Sequence, residues 1–350
     1  MRHRGIRWHN AARMIPKPLL SRQQAPHWQH ELRNAFSRPA ELLDYLQLDP
    51  ALPVLRYEEL KAFPLRVPRG FAERMRKGDP HDPLFLQVWP GAREAEEVAG
   101  FGLDAVGDLN KLKPGGLIHK YHGRALVVAT GACAIHCRYC FRKHFPYSDA
   151  LATRDHWNET LDQLRADPSI EEVILSGGDP LSLSDDKLAE FAQSLEDIPH
   201  LRRLRIHTRQ PIVLPSRVDE KLLDWLSRGR LTKIVVLHVN HPNELDDQVR
   251  TALVSLRNLG VSLLNQAVLL KHVNDSVQTL VQLSEKLIDF GVLPYYLHLL
   301  DRVKSAAHFE VKKREGIMLM RELSCRLPGY LVPRLVREEA GAPAKTLVPW

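Results

Sequence analysis

Residues 125–145 read ALVVATGACAIHCRYCFRKHF, and the fold prediction starts from this stretch. An apolar run, residues 125–130, is followed at once by three of the chain's four cysteines, Cys133, Cys137 and Cys140. The run predicts a buried β-strand, which places the cysteines in the loop after its carboxyl end. Three thiolates cannot fill a four-coordinate structural metal site, so either a fourth ligand comes from elsewhere or the metal keeps an open position.

The composition is that of an ordinary globular protein. The chain has 350 residues, of which 44% are hydrophobic and 26% charged, and no apolar run approaches the roughly 20 residues that cross a bilayer. We expect a soluble protein. Three clustered cysteines out of four indicate a metal or redox site in a reducing compartment, the cytoplasm, rather than a disulfide framework.

The charge distribution bears on targeting and on partners. The first 30 residues carry six Lys and Arg side chains and no Asp or Glu, which faintly resembles a mitochondrial targeting segment, but serine is scarce there and a solvated basic arm is favoured. The net charge of +7 permits attraction to nucleic acid or to an acidic protein. Because RNA-binding signatures are absent, neither nucleic acid nor a membrane is an expected partner.

After residue 116 the sequence alternates short apolar strands with amphipathic helices. The six predicted strands are residues 125–130, 172–176, 203–208, 233–239, 262–270 and 295–301. Three helical segments end at Gly229, Gly260 and Gly291, where a left-handed C-cap favours glycine. Six β-α units predict an α/β fold with a parallel sheet, and a partial (β/α)6 barrel is preferred over an open doubly wound sheet. Ligands collect at the carboxyl ends of such strands.

Three parts of the chain are expected. They are an N-terminal, mainly helical extension (residues 1–110), the barrel (111–330) and a C-terminal segment (331–350). The clearest element of the first part is a helix that begins near Pro39. No residue of this part indicates chemistry.

The three clustered cysteines allow two kinds of metal site. A [4Fe-4S] cluster held by three thiolates keeps one iron free, and that iron can chelate the amine and carboxylate of S-adenosylmethionine. The alternative is a Cys3His zinc site with His136 or His144 as the fourth ligand. Zinc sites prefer paired Cys-x2-Cys elements, so the cluster is favoured. Cys325 lies among helix formers and is predicted to be a small core residue.

A second stretch with chemical character is EEVILSGGDPL, residues 171–181. It ends a strand with Gly177 and Gly178, whose lack of side chains lets the backbone approach a ligand closely. Taken alone, this glycine pair is equally consistent with a tight turn.

The cysteine spacing, with Tyr139 before the last cysteine, resembles the radical S-adenosylmethionine signature. Further stretches are similar to lysine 2,3-aminomutase: HKYHGRAL, CRYCFRKHF, SGGDPL, LHVNHPNE, NQAVLLKHVND, PYYLHLLDRVKSAAHF, and a lysine at Lys345. They follow the family's order over roughly residues 115–346. The resemblance implies a barrel of the radical S-adenosylmethionine type and an isomerase that moves an amino group within its substrate.

The resemblance implies three cofactors: a [4Fe-4S] cluster on the three cysteines, S-adenosylmethionine and pyridoxal 5′-phosphate. The residues that would surround S-adenosylmethionine are Tyr139, Gly177, Gly178, Asp179, His238 and Gln266. Those that would hold pyridoxal phosphate are Lys345, as its Schiff-base lysine, and Lys120, Tyr121 and Arg124 at its phosphate. Lys120 stands where the family usually has arginine, and the family's glycine run before the lysine is replaced by Gly341-Ala342-Pro343-Ala344.

The implied substrate is L-lysine, held at both charged ends. Arg142 resembles the family's carboxylate-binding arginine. Asp301 resembles one of two acidic partners of the substrate ammonium group, and Glu338 stands where the second is an aspartate. The implied product is β-lysine.

The branch of the family is predicted from the end of the chain. Free-standing lysine aminomutases extend beyond the Schiff-base lysine, whereas this chain stops five residues after Lys345. That short form resembles the bacterial branch that makes (R)-β-lysine for elongation factor P, with a low-potential electron donor such as flavodoxin. The alternatives are a catabolic lysine 2,3-aminomutase, another radical enzyme such as one that modifies RNA, and a non-catalytic iron–sulfur or zinc protein.

Overall fold

The computed structural model describes residues 26–57, 63–151 and 154–350. Most of the basic arm discussed above, residues 1–25, lies outside the described residues, and with it the question of targeting. In the part of the chain that is described, no helix is long and apolar enough to span a bilayer.

A ten-stranded sheet forms the centre of the described molecule. Its strands are β1 (Leu112–Lys113), β2 (Leu117–Tyr121), β3 (Arg124–Thr130), β4 (Glu172–Gly177), β5 (Arg203–Thr208), β6 (Thr232–Leu237), β7 (Ser262–Val268), β8 (Leu293–His298), β9 (Arg334–Arg337) and β10 (Thr346–Leu347). Their order in the sheet is their order in the chain. From β3 to β9 neighbouring strands are parallel, and antiparallel pairs occur at both edges. The mostly parallel sheet confirms the predicted α/β class.

The six predicted strands correspond to β3–β8. The predicted range 203–208 has the bounds of β5, and the other strand ends differ by at most three residues. The prediction lacked β9, the seventh parallel strand, whose sequence RLVR is four residues long. A segment this short carries too little alternation to be recognised as a strand.

β5 shows how the sheet divides its side chains between the core and a central cavity. Leu204 and Ile206 are buried in the main hydrophobic core, whereas Arg205 and His207 line the cavity. Successive side chains of a strand point to opposite faces. Polar residues at alternate positions of an otherwise apolar strand therefore face the cavity.

The described residues form twelve α-helices, of which the first four precede the sheet and the other eight connect its parallel strands. They are α1 (His27–Arg33), α2 (Pro39–Tyr45), α3 (Arg69–Ala72), α4 (Pro83–Leu86), α5 (Tyr147–Ala150), α6 (Arg154–Ala166), α7 (Asp185–Glu196), α8 (Gln210–Val213), α9 (Glu220–Leu226), α10 (Asp247–Asn258), α11 (Val277–Asp289) and α12 (Lys313–Arg326). As predicted, Gly229, Gly260 and Gly291 follow helices with φ of 83°, 77° and 76°. This left-handed conformation ends a helix at little cost only for glycine.

The predicted core position of Cys325 is wrong, because this residue is exposed. It lies in α12, whose buried residues are Gly316, Met320 and Leu323. That spacing of four and three residues defines one face of a helix. Two residues after Leu323, Cys325 falls on the other side.

The sheet is open, since β1 and β10 form its two ends. Its two edges nevertheless meet through side chains: the hydroxyl of Tyr121 in β2 donates a hydrogen bond to Glu338, which directly follows β9. The strands therefore curl around the central cavity, as expected for a partial barrel.

The N-terminal part packs directly against the cysteine loop. Its helix α2 begins at Pro39 as predicted, and its hydrophobic cluster also contains Ala134 and Ile135 of the cysteine loop. Backbone contacts add to this packing, because the Arg138 amide donates to the Gln87 carbonyl over 2.9 Å. The division of the chain into three parts stays a prediction.

A buried carboxylate ties the cysteine loop to this N-terminal part. Glu94 accepts hydrogen bonds from Nε and Nη2 of Arg138, each over 2.6 Å, and from Nζ of Lys143 over 2.8 Å. The three side chains are between 0% and 3% exposed. Two cations at this depth need a compensating charge, which Glu94 supplies.

We expect Glu94→Gln to destabilise the protein by about 3 kcal/mol or more, because it leaves two buried cations without their carboxylate. Denaturant unfolding measures the change in the free energy of unfolding. Glu97→Gln is the matched control: its ion pair with Lys304 is exposed, so its loss should leave the free energy of unfolding nearly unchanged. Equal destabilisation by the two substitutions would contradict the anchoring role of Glu94.

Candidate active site

A cavity of about 550 Å³ lies at the carboxyl ends of the parallel strands. Cys133 follows β3, Asp179 follows β4, Arg209 follows β5 and His238 follows β6, and all four line it. The structure brings together in this wall all the site residues predicted from the sequence, namely Lys120, Tyr121, Arg124, Cys133, Cys137, Tyr139, Cys140, Arg142, Gly177, Gly178, Asp179, His238, Gln266, Asp301, Glu338 and Lys345.

The three clustered cysteines are unpaired and partly buried. Burial raises the pKa of Cys140 to about 11, and burial together with the Asp179 charge raises the pKa of Cys133. Such thiols bind iron as thiolates, so metal binding must displace their protons. Three thiols in one loop on one cavity fit a cluster that uses a different iron for each sulfur.

Neither histidine that was predicted as the fourth ligand of a zinc site, His136 or His144, faces the cavity with the cysteines. His136 Nδ1 lies 2.8 Å from the Pro64 carbonyl oxygen, and His144 Nε2 lies 3.3 Å from that of Lys304. Neither histidine is among the residues that line the cavity. Within the described ranges, no three His, Cys, Asp or Glu side chains are arranged to hold one metal ion.

The loop after β4 contacts the cysteine loop through its backbone. The Gly178 amide donates to the Thr130 carbonyl over 2.6 Å, and the Asp179 amide donates to the Ala132 carbonyl over 2.8 Å. Gly177 has a φ of 115°, which other residues rarely adopt. The glycine pair is therefore required by close packing of two loops at the cavity wall.

The Asp179 carboxylate accepts hydrogen bonds from groups of the protein itself. Its two oxygens accept hydrogen bonds from Thr208 Oγ1 over 2.7 and 2.9 Å, and backbone amides of Leu181, Arg209 and Gln210 also donate to it. Burial raises the pKa of Asp179 despite these donors. The side chain thus joins the ends of β4 and β5.

Tyr139 and His238 pack together on the cavity wall. Their rings are stacked with centroids 5.6 Å apart, and Tyr139 Oη lies 3.0 Å from His238 Nε2. Burial, assisted by the Arg209 cation, lowers the pKa of His238 to about 3. His238 is therefore neutral at physiological pH.

On the opposite side of the cavity, Glu338 joins three predicted site residues. Its Oε2 accepts a hydrogen bond from Lys345 Nζ over 2.7 Å, and its Oε1 lies 3.4 Å from Lys120 Nζ and accepts from Tyr121. Burial would raise the pKa of Glu338, but Lys345, Tyr121 and Lys120 together lower it further, so the net shift is downward. Glu338 therefore carries its charge at neutral pH.

Asp301 also lines the cavity, but its pKa shifts upward, opposite to that of Glu338. Burial raises its pKa to about 7, although Lys345 acts against the shift. At neutral pH Glu338 is therefore ionised, whereas Asp301, on the same cavity wall, is near its titration midpoint.

Arg142 is paired with a residue that the sequence did not suggest. Its Nε and Nη2 donate to Asp108 Oδ2 over 2.9 and 2.8 Å, and its Nη1 donates to Ser176 Oγ over 3.0 Å. Lys120 Nζ lies 2.7 Å from the other oxygen of Asp108. Burial would raise the pKa of Asp108, but the Arg142 and Lys120 cations hold it below its usual value.

The sequence analysis did not identify Asp108 or three other residues of the cavity. Asp108, which lines the cavity, lies in the N-terminal part, where no sequence pattern indicated a site residue. Arg209, His207 and His298 line the cavity as well. Arg209 and His207 could have been found from the alternation of β5, whereas no local pattern marks Asp108.

We expect Gly178→Ala to reduce the iron bound after anaerobic reconstitution severalfold. The new Cβ would lie 2.5 Å from the Ala132 carbonyl oxygen, and overpacking of this kind costs about 1–3 kcal/mol. The strain falls on the backbone next to Cys133. Gly329→Ala is the control, because its Cβ would meet nothing within 4 Å. Full iron content in both variants would contradict the packing described here.

Comparisons with known proteins identify the family to which the chain belongs. Residues 127–283 match the Radical SAM superfamily. An L-lysine 2,3-aminomutase of Escherichia coli (strain K12) is 47% identical over 91% of this chain and 93% of its own length. The L-lysine 2,3-aminomutase of Haemophilus influenzae is 45% identical over 96% and 99%, and that of Clostridium subterminale 32% over 92% and 77%. The chain therefore belongs to the L-lysine 2,3-aminomutase family of radical S-adenosylmethionine isomerases.

Proposed function

We propose that this enzyme converts L-lysine to β-lysine by moving the α-amino group to the β-carbon, with pyridoxal 5′-phosphate as a cofactor beside the cluster and S-adenosylmethionine. The observation that carries the proposal is one cavity lined by the three cysteines, Lys345 and the carboxylates of Asp301 and Glu338. A metal-binding protein without catalysis has no need for the last three.

When bound, the cluster and S-adenosylmethionine supply the radical that starts the reaction, and pyridoxal phosphate carries the amine that migrates. Cys133, Cys137 and Cys140 would hold the cluster and leave one of its irons without a protein ligand. Tyr139, Gly177, Gly178, Asp179, His238 and Gln266 are the residues proposed to surround S-adenosylmethionine. The contact between the loops after β3 and β4 supports this role, because it places Gly177 and Gly178 on the cavity wall next to the cysteine loop.

The residues around Lys345 fit a polar, anionic cofactor. In the described residues, Nε of Arg205 and Nε2 of His207 and His298 are buried without a hydrogen-bond partner, and all three side chains line the cavity. Buried polar atoms normally have partners, so a bound group would supply what the protein lacks. Lys345 would bind the aldehyde and is positioned by Glu338.

The phosphate of this cofactor has a cationic site on β2 and β3. Lys120 and Arg124 line the cavity together with Tyr121, and the Arg124 guanidinium lies 4.7 Å from the centre of the Tyr121 ring. Two cations and a hydroxyl suit a phosphate dianion. Lys120 pairs with Asp108 and Tyr121 donates to Glu338, so these two side chains would exchange these partners for the phosphate.

L-lysine would be held at both ends. Asp108 occupies Nε and Nη2 of Arg142, so we assign Nη1, the nitrogen beside Ser176, to the substrate carboxylate. The substrate ammonium group would bind Asp301 and Glu338. Fixing both ends limits the positions that the reacting carbons can take, which a radical reaction needs in order to be selective.

We further propose that the product is (R)-β-lysine, destined for elongation factor P, and that a flavodoxin-type donor reduces the cluster. The supporting stretch is PYYLHLLDRVKSAAHF, residues 294–309. A catabolic aminomutase that makes the S isomer is the second candidate.

The test is anaerobic reconstitution with iron, sulfide and pyridoxal phosphate, followed by S-adenosylmethionine, a reductant and L-lysine, with chiral chromatography of the amino acids. We expect (R)-β-lysine. The S isomer would reject the elongation factor P branch. Cleavage of S-adenosylmethionine without β-lysine would reject lysine as the substrate, and cluster-replete protein that does neither would reject the enzymatic proposal.

We predict that L-lysine binds more tightly as the pH rises toward neutrality. Asp301 has a pKa of about 7, so it is protonated below that pH and cannot pair with the substrate ammonium group, whose own pKa is near 10.4. Affinity should fall about tenfold for each pH unit below about 7. Calorimetric titration of the cofactor-loaded enzyme with L-lysine from pH 5.5 to 8.5, roughly the range of protein stability, measures the dissociation constant.

Asp301→Asn is the control for this pH dependence. The amide does not titrate, so the variant should bind L-lysine weakly with a flat pH profile, while its iron content and its cleavage of S-adenosylmethionine stay at the wild-type level. The pKa values of His207, His238 and His298 are lowered by burial, so these residues stay neutral across the range. A wild-type profile that is flat or slopes the other way would refute the role of Asp301.

A further inference from the structure

Arg209 is a buried cation in direct contact with a cysteine of the proposed cluster site. Its side chain is 7% exposed. Nη1 lies 2.8 Å from Cys137 Sγ and 2.7 Å from Tyr139 Oη. Nη2 lies 2.7 Å from Gln87 Oε1 and 2.8 Å from Glu244 Oε2. The guanidinium therefore bridges a thiol and a buried carboxylate.

The surroundings of this guanidinium are rigid. Glu244 is 0% exposed, and its second oxygen accepts from the amide of Asn240 over 3.0 Å and from Gln87 Nε2 over 3.2 Å. The Asn240 side chain in turn donates to Gln87 Oε1 over 3.0 Å and to Tyr139 Oη over 2.7 Å. Because each polar partner is itself held, Arg209 has one favourable position, with Nη1 on the sulfur.

The other buried cations of the cysteine loop have different partners. Arg138 and Lys143 bind Glu94, and Arg142 binds Asp108. Among the hydrogen bonds of the described residues, the contact of a cation with a cluster cysteine is that of Arg209 with Cys137. Arg142 and Lys143 act on Cys140 through their charges, whereas Arg209 places its guanidinium in direct contact with the sulfur of Cys137.

A hydrogen bond to a cluster sulfur changes the reduction potential of the cluster. Reduction adds one negative charge, which a nearby guanidinium stabilises, and charge-assisted hydrogen bonds are about twice as strong as neutral ones. The low local dielectric strengthens the effect. Glu244 acts in the opposite sense, because its negative charge offsets that of Arg209.

We propose that Arg209 sets the reduction potential of the cluster, raising it through the hydrogen bond to Cys137, and that Glu244 limits this increase. The inference rests on the assignment of Cys133, Cys137 and Cys140 to the cluster, and not on the identity of the amino-acid substrate. The electron itself comes from an external one-electron reductant of low potential, and Arg209 is a positioning and tuning residue that exchanges no proton or electron.

The experiment is a redox titration of the reconstituted enzyme without S-adenosylmethionine or lysine, in which electron paramagnetic resonance measures the reduced cluster. Arg209→Gln should lower the midpoint potential, decreasing the ratio of reduced to oxidised cluster at fixed potential about tenfold, or about 59 mV for one electron. Glu244→Gln should raise the potential. Arg209→Lys keeps the charge but not the fork geometry, so its potential should lie between those of wild type and Arg209→Gln.

Arg217→Lys is the matched control, because Arg217 is as deeply buried and pairs with Asp185 instead of a sulfur. It should change the melting temperature without changing the potential. Cluster-replete Arg209 and Glu244 variants with the wild-type potential would overturn the proposal and leave a structural role. If Arg209→Gln binds no cluster, the midpoint potentials of Glu244→Gln and Arg209→Lys decide: wild-type values in both would overturn the proposal. Wild-type protein that holds the cluster but makes no β-lysine would reject the proposed function and leave this inference intact.

Discussion

The active site depends on the backbone contact between the loops that follow β3 and β4. A Cβ on Gly178 would lie 2.5 Å from the Ala132 carbonyl oxygen, and the amides of Gly178 and Asp179 donate to carbonyls of the cysteine loop over 2.6 and 2.8 Å. This contact holds the three thiols against the carboxyl edge of the sheet. The cysteine loop cannot move away from the cavity without breaking these backbone hydrogen bonds. The position of the metal-binding thiols therefore depends on the same contact that joins the two loops.

A second constraint is the neutralisation of buried cations. The pairs are Arg138 and Lys143 with Glu94, Arg142 and Lys120 with Asp108, and Arg209 with Glu244. Two of these three carboxylates come from the N-terminal part of the chain, before the first strand of the sheet. That part therefore completes the electrostatics of the site as well as covering it, because each cation would otherwise be buried without compensation.

The open sheet allows the end of the chain to enter the site. Its edges are bridged by the contact of Tyr121 with Glu338, and Glu338 also holds Lys345. A closed ladder of strands would have no gap at this point. The side-chain bridge thus places a lysine amine in the cavity that the cysteines line, near Asp301.

The sequence by itself determined the local units of this protein. A strand followed by cysteines, the pair Gly177–Gly178 and the end positions of the strands are local patterns. They located the six parallel strands β3–β8, the three cysteines and the glycine pair, whereas the other predicted site residues came from the family resemblance. Only the tertiary structure decided which distant side chains meet. Asp108 and Glu244 reach their cations through long-range packing that no short pattern reports, and Cys325 was misassigned because residue type does not show which helix face is buried. Periodicity records local geometry, whereas charge pairing depends on the path of the whole chain.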